Sequence, residues 1–195
     1  MPIHHFSYPI FLNLYQKKCL VIGGGSVANR KVSTLLKSGA CVTVITKKAS
    51  PFLSRLQQKG KIQVLQRAFR ARDLKGAWIV IAATDKPPLN HTIARLALSN
   101  RQWVNVVDRP ELCQFIAPSS IQRGNLTLAI STNGISPGLS KAIRKELERN
   151  FIPKYQKILR RMKLLRQQVR SKVEKPEQRK GILNHLVKQM MKTTS

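Results

Sequence analysis

The sequence predicts an α/β fold organised on a doubly wound parallel sheet, and three observations predict it. Short apolar runs recur at residues 19–22 (CLVI), 41–46 (CVTVIT) and 78–83 (WIVIAA). They are too short for helices and rich in β-branched residues, the composition of strands buried on both faces. Stretches with apolar residues at helical spacing separate them, as at Val27, Val32, Leu35 and Leu36. A glycine triplet, Gly23-Gly24-Gly25, joins the first run to the first such stretch. Strands that alternate with helices in this rhythm form a parallel sheet with helices on its faces.

Residues 3–14 read as a lead-in strand at the sheet edge or over a site. After the first strand and helix, Gly39 falls where a helix terminus favours positive φ. The second strand, 41–46, leads to Ser50 as N-cap and Pro51 at the first helical position, ahead of Phe52, Leu53 and Leu56. That helix stops at Gly60. A third strand covers 62–65, and the wholly apolar run 78–83 makes a central fourth. Residues 84–88 (TDKPP) form a loop, 89–98 a helix with Ile93, Leu96 and Ala97 inward, and 104–107 a fifth strand ending at Asp108.

The glycine turn is spaced Gly23-x-Gly25-x-x-Ala28. Gly23 allows a tight turn, Gly24 lies within it, and Gly25 lets a pyrophosphate approach the backbone. Ala28 lets helix and strand pack closely. The N–H groups of Ser26 and Val27 open the helix and offer its positive dipole end to phosphate. Between a strand and a helix, and ahead of a second strand, the pattern is that of a Rossmann dinucleotide site. Ligands in such sheets bind beyond the carboxyl ends of the strands. That rule selects the glycine turn, Thr46 with Lys47 and Lys48, Thr84 with Asp85, and Asp108. Asp85, ahead of Lys-Pro-Pro, reads as a turn residue. Asp108 is the candidate general base.

From residue 112 the pattern changes. Residues 115–117 and 126–131 read as antiparallel strands. A polar loop, Thr132-Asn133-Gly134-Ile135-Ser136-Pro137, then opens a helix whose N-terminus is either a second anion site or a plain Ser136 cap. Residues 139–151, 153–173 and 179–191 read as basic helices, with a break at Lys175-Pro176-Glu177. A stripe of Leu159, Met162, Leu165 and Val169 reads as core or dimer contact. The expected organisation is a Rossmann domain over 1–112, a small α+β region for dimerisation and substrate over 113–150, and a basic helical tail over 151–195.

Composition sets further bounds. The chain has 195 residues, is 42% hydrophobic, and carries a formal net charge of +28. Residues 1–140 contribute +15 and residues 141–195 contribute +13. A basic proteome, a polyanionic substrate or nucleic acid would each account for this. No RNA-binding motif or aromatic groove accompanies the charge, so no specific nucleic-acid partner is expected. No run is long enough to cross a membrane, and the N-terminus does not resemble a signal peptide. Cys19, Cys41 and Cys113 are odd in number and widely spaced, with the first two inside expected buried strands. That fits reduced cysteines in a cytoplasmic protein. His4, His5, His91 and His185 show no ligand spacing, so no resident metal is expected.

The motifs PIFLNL, CLVIGGGSVANRK, WIVIAATDKPPLN, NVVDRPELCQFIAPS and LTLAISTNGISPGLSKAIRKELE stand in this order. Together, over roughly residues 8–150, they resemble the precorrin-2 dehydrogenase/sirohydrochlorin ferrochelatase family, the N-terminal module of siroheme synthases. Beyond residue 150 the likeness is only that of helices. Larger siroheme synthases continue into a methyltransferase, an activity not expected here. The resemblance implies an intertwined homodimer that oxidises precorrin-2 to sirohydrochlorin with NAD, some members then inserting Fe²⁺ as a second substrate. It places Ser26 and Val27 at the pyrophosphate turn, Lys47 and Lys48 beside the adenosine, and Asp108 in both chemistries. Thr132 stands where some members carry a phosphorylatable serine. With Thr132, Asn133 and Ser136 in the loop, Arg123, Lys141 and Arg144 become the expected contacts of the substrate carboxylates. Lys47 and Lys48 replace the usual acidic ribose ligand, which leaves NADP open beside NAD. Arg109 would weaken Asp108 as a base and repel Fe²⁺. The alternatives are a dehydrogenase served by a separate chelatase, and a nonenzymatic polyanion binder on a Rossmann scaffold.

Overall fold

The computed structural model describes residues 8–192, and the chain divides into two compact units with the break between Ile116 and Ala117. In the first unit, β1 (Lys18–Ile22), β2 (Cys41–Thr46), β3 (Ile62–Gln66), β4 (Ile79–Ala82) and β5 (Trp103–Val106) form one all-parallel sheet in the order β3-β2-β1-β4-β5. The connecting helices are α1 (Ser26–Lys37), α2 (Pro51–Gln58) and α3 (Pro87–Ser99). Alternation along β1 shows why its sequence is apolar after the exposed Lys18. Cys19 and Val21 pack with Ala28, Val32 and Leu53 on one face, while Leu20 and Ile22 pack with Leu74, Ile93 and Ala97 on the other.

Local signals account for the helix boundaries. Ser50 Oγ accepts from the Leu53 N–H at 3.3 Å, the expected N-cap of α2. Gly39, at φ +75°, ends α1 by donating to the Leu36 carbonyl. The connection from β3 to β4 contains only a 3-10 turn, Ala71–Leu74, pinned by a two-bond pair of Arg67 with Asp73 at 2.8 and 2.7 Å. The Arg67 guanidinium holds the Asp73 carboxyl below the usual carboxylate range.

The second unit begins with a hairpin of β6 (Ser119–Arg123) and β7 (Leu126–Ile130), followed by α4 (Pro137–Asn150), α5 (Ile152–Lys172) and α6 (Pro176–Lys192). Gly124, at φ +58°, takes the first central position of the two-residue turn, a place that favours glycine. Within this unit α4 packs on the hairpin, α5 on α4 and β7, and α6 on α5.

Several expectations are corrected. Residues 8–14 form no strand, and residues 3–7 of the expected lead-in strand lie outside the described residues. The partner of β7 is not 115–117 but Ser119–Arg123, whose Ile121 supplies the buried position. Pro87 and Pro88 open α3 instead of belonging to the loop before it, because neither needs an N–H in the first turn. Pro176 likewise begins α6. Leu159 is exposed, and Ile158 joins Met162, Leu165 and Val169 on the inward side of α5. Cys41 is exposed at the first position of β2, whereas Cys19 is fully buried.

Thiol chemistry tests this packing. A disulfide reagent should label Cys41 in the native protein and reach Cys19 only on unfolding. Burial pushes the Cys19 thiol up from 9.0 to about 11. The unfolded chain therefore loses this proton first, and folding stability should fall as pH rises from about 9 to 11. Urea titrations should show that this component disappears in Cys19→Val.

Candidate functional site

The carboxyl ends of four strands converge along one edge of the first unit's sheet, and glycines set how closely they approach. A Cβ on Gly23, at φ +129°, would collide with the carbonyl of Ala83 just past β4, with the carbonyl carbon 2.6 Å away. A Cβ on Gly24 would meet Thr46 Oγ1 and, at 2.5 Å, the Lys48 carbonyl oxygen beyond β2. The first two glycines therefore serve the protein's own backbone. Gly25 differs: a Cβ there would find nothing within 4 Å. It is the N-cap of α1, and no side chain caps the helix. The first-turn N–H groups at Ser26 and Val27 thus open onto free space beside a residue without a side chain. This cradle fits a pyrophosphate and would be filled by any larger residue at position 25.

Neighbouring loops are braced from within. Thr46 Oγ1 donates to the Lys48 carbonyl at 3.0 Å and accepts from the Lys48 N–H at 3.3 Å. That turn leaves the Lys47 and Lys48 side chains exposed. After β4, Thr84 is held by Asn90: Thr84 Oγ1 donates to Asn90 Oδ1 at 2.6 Å, and Asn90 Nδ2 donates to the Thr84 carbonyl at 3.0 Å. Asn90 is buried on a face of α3 otherwise made of Ile93, Ala94 and Ala97. A lone amide on an apolar helical face was its signal in the sequence.

At the last strand end, Asp108 is exposed and has φ +59°, an uncommon conformation for a side-chain-bearing residue. Arg109 turns to Glu111 at 3.4 Å, so part of its charge is taken up two residues along the chain. Beneath this corner lies a polar network that the sequence reading missed. Lys31 Nζ, from α1, donates to Asn105 Oδ1 at 3.0 Å, and Asn105 Nδ2 donates to the Phe115 carbonyl at 2.9 Å. Cys113 Sγ accepts from the Val106 N–H at 3.1 Å. Burial, and then the adjacent Arg30, push the Lys31 ammonium below the usual lysine range, against the pull of Cys113 and Asp108. The amide of Asn105 inside the apolar strand WVNVV was the available signal.

The other expected site residues lie on the second unit. Thr132 is held by its own loop: its hydroxyl donates to the Ser136 carbonyl at 3.0 Å, accepts from the Ser136 N–H at 3.1 Å and lies 3.0 Å from Ser140 Oγ. Ser136 Oγ caps α4 through the Leu139 N–H at 3.2 Å. Asn133 is exposed at φ +50°, beside an exposed Ile135. Arg123 and Arg144 both pair with Glu148, the latter at 2.7 Å. Lys141 is exposed and makes no ion pair among the described residues. No group of His, Cys, Asp and Glu among the described residues is placed to hold a metal ion. No described helix is long and apolar enough to cross a membrane.

A parallel sheet whose first strand turns through an open glycine cradle into a helix defines a dinucleotide-binding protein of the Rossmann class. Residues 10–119 match a family model described as "Putative NAD(P)-binding", and residues 123–150 match one described as "Sirohaem biosynthesis protein central". A siroheme synthase of Methylobacillus flagellatus is 44% identical over 142 residues, covering 73% of this chain and 30% of the relative. That of Vesicomyosocius okutanii is 38% identical over 172 residues, covering 88% and 37%. The chain thus spans about a third of the length of the curated relatives it matches. Among solved structures, one titled "SirC, precorrin-2 dehydrogenase" superposes with a TM-score of 0.81 at 24% identity, over 96% of this chain and 98% of that one. The chain belongs to the siroheme synthase family, of which it carries the NAD(P)-binding and central regions.

Two glycine substitutions separate the roles of the turn. Gly25→Ala should leave the melting temperature unchanged and weaken NAD(P) binding by about tenfold or more, read by calorimetry. Gly23→Ala should lower stability as well, because its Cβ meets backbone that cannot give way.

Proposed function

We propose that the chain is an NAD-dependent precorrin-2 dehydrogenase that makes sirohydrochlorin for siroheme, working as a cytoplasmic homodimer with no membrane or base-specific nucleic-acid partner. The observation that carries the reading is Asp108, an exposed carboxylate on the strand-end edge that also holds the open glycine cradle. Family membership supports the substrate class. In the overall reaction precorrin-2 and NAD⁺ become sirohydrochlorin, NADH and a proton. When bound, the nicotinamide accepts the hydride.

The chain's own residues supply the rest. The N–H groups of Ser26 and Val27, with Gly25 between helix and solvent, hold the pyrophosphate. Thr84, fixed by Asn90, and the Lys47-Lys48 turn border the rest of the dinucleotide. Cations at positions 47 and 48 would also accept a 2′-phosphate, so NADP belongs in the same test. Asp108 takes the substrate proton, and the Lys31–Asn105 network beneath it fixes the strand end from which it projects. On the second unit, Lys141 is the leading contact for a substrate carboxylate. Arg123 and Arg144 serve through the cluster they form with Glu148, and Thr132, Asn133 and Ser136 shape the loop. Exposed Ile135 and Leu139 offer apolar surface to a flat macrocycle.

The reading extends to Fe²⁺ insertion, with iron as substrate. Metallation requires removal of two macrocycle N–H protons, a task the same carboxylate can serve.

The test is turnover of anaerobic precorrin-2 by wild type and Asp108→Asn, with Fe²⁺ added once sirohydrochlorin has formed. Asp108→Asn should lower kcat by about a hundredfold or more while NAD⁺ affinity stays within about twofold. Lys141→Gln should raise KM with little change in kcat. A folded Asp108→Asn protein with full turnover would overturn the assignment. Normal dehydrogenation without iron uptake would mean that a separate chelatase completes the synthesis.

A further inference from the structure

The charge of the chain is uneven, and its densest part is α5. Eight of its 21 residues are Lys or Arg, and none is Asp or Glu. Lys157, Arg160, Arg161, Lys163, Arg166 and Arg170 are all exposed. None of these six takes part in an ion pair among the described residues, and the nearby carboxylate of Glu148 is already engaged by Arg123 and Arg144. The spacing sets like charges side by side. Lys157 faces Arg160 and Arg161, Arg160 faces Lys163, Lys163 faces Arg166, and Arg166 faces Arg170, each three or four positions apart. Such pairs weaken a helix. α4, by contrast, relieves its charge with the Arg144–Glu148 pair at 2.7 Å. α5 therefore stores a repulsion that a bound polyanion would release.

We infer that the exposed face of α5 docks on the phosphate backbone of double-stranded nucleic acid, without regard to base sequence. This is a second binding activity and is independent of the dehydrogenase reading. A helix of 21 residues is about 31 Å long and rigid, matched to a duplex that presents a charge about every 1.7 Å. Single strands are held chiefly by stacking on aromatic rings, and the cationic stretch 157–170 contains none, the one ring of α5, Tyr155, being stacked on Phe151 at the start of the helix. A bilayer needs a continuous exposed apolar face, yet Ile158, Met162, Leu165 and Val169 are turned inward, leaving only Leu159 and Leu164 outside, set among the cations.

The test is fluorescence anisotropy with the full chain and a labelled mixed-sequence DNA duplex of about 24 base pairs, titrated with salt. Replacing Arg160, Arg161, Lys163 and Arg166 by Gln should weaken binding by about thirtyfold at roughly 100 mM salt. It should also cut the slope of log affinity against log salt by about three. A matched variant of the first unit, with Lys37, Arg55, Lys59 and Lys61 changed to Gln, should lose no more than about threefold. Lysine acetylation of the wild type gives a readout that needs no variant: the duplex should protect Lys157 and Lys163 more than Lys59 and Lys61. Equal losses in the two variants, no protection at α5, or no duplex binding would overturn the inference. So would tighter α5-dependent binding to phosphatidylserine vesicles than to the duplex at the same salt.

Discussion

A backbone approach too close for any side chain sits in the first unit where the strand order reverses. β1 and β4 are neighbours, yet the chain leaves β1 towards β2 and β3 and later leaves β4 towards β5. At this switch point the strand ends part and a crevice opens between their loops. Gly23 lies against the Ala83 carbonyl at that crevice, a contact too close for any Cβ. Gly24 presses as closely on the loop after β2. With both gaps closed by backbone, Gly25 and the start of α1 are left as the open end of the crevice. The Thr46 and Thr84 loops are then braced on either side by their own hydrogen bonds. The cofactor cradle is thus a consequence of strand packing.

A second constraint is electrostatic. Few carboxylates share the chain with a large excess of cations, so where each one goes matters. Asp73 secures the short β3–β4 connection through Arg67, and Glu148 gathers Arg123 and Arg144. Glu111 draws Arg109 aside. Asp108, at the strand-end edge, stays exposed. Three of these carboxylates fix cations, while Asp108 and the likewise exposed Asp85 remain open to solvent on the edge where a ligand would lie.

Much of the parallel unit was legible in the sequence because its signals are local. Apolar runs, the Gly23-x-Gly25 spacing, the Ser50-Pro51 cap and Gly39 each act within a few residues. The misreadings arise where distant parts of the chain decide. Residues 115–117 are as apolar as a strand, but Phe115 packs on the sheet core and Asn105 binds its carbonyl, which leaves Ser119–Arg123 to pair with β7. Ile158 replaces Leu159 on the inner side of α5 because α4, α6 and β7 fix the rotation of that helix. Of the site, the glycines, Thr84 and Asp108 could be placed from the strand-end rule. Lys31 and Asn105 could not, since each becomes meaningful only beside a partner that the fold brings from elsewhere, whereas Asn90 binds Thr84 six positions away and was signalled by its apolar helical face.

The proposed dehydrogenation requires one edge of the sheet to present both a dinucleotide and a carboxylate to precorrin-2. The most direct measurement is a single anaerobic turnover with equimolar precorrin-2 and NAD⁺, following NADH by absorbance at the same time as the tetrapyrrole spectrum. One NADH should form for each sirohydrochlorin, at the same rate. Sirohydrochlorin appearing without NADH, or no conversion by a folded protein that binds the dinucleotide, would contradict it.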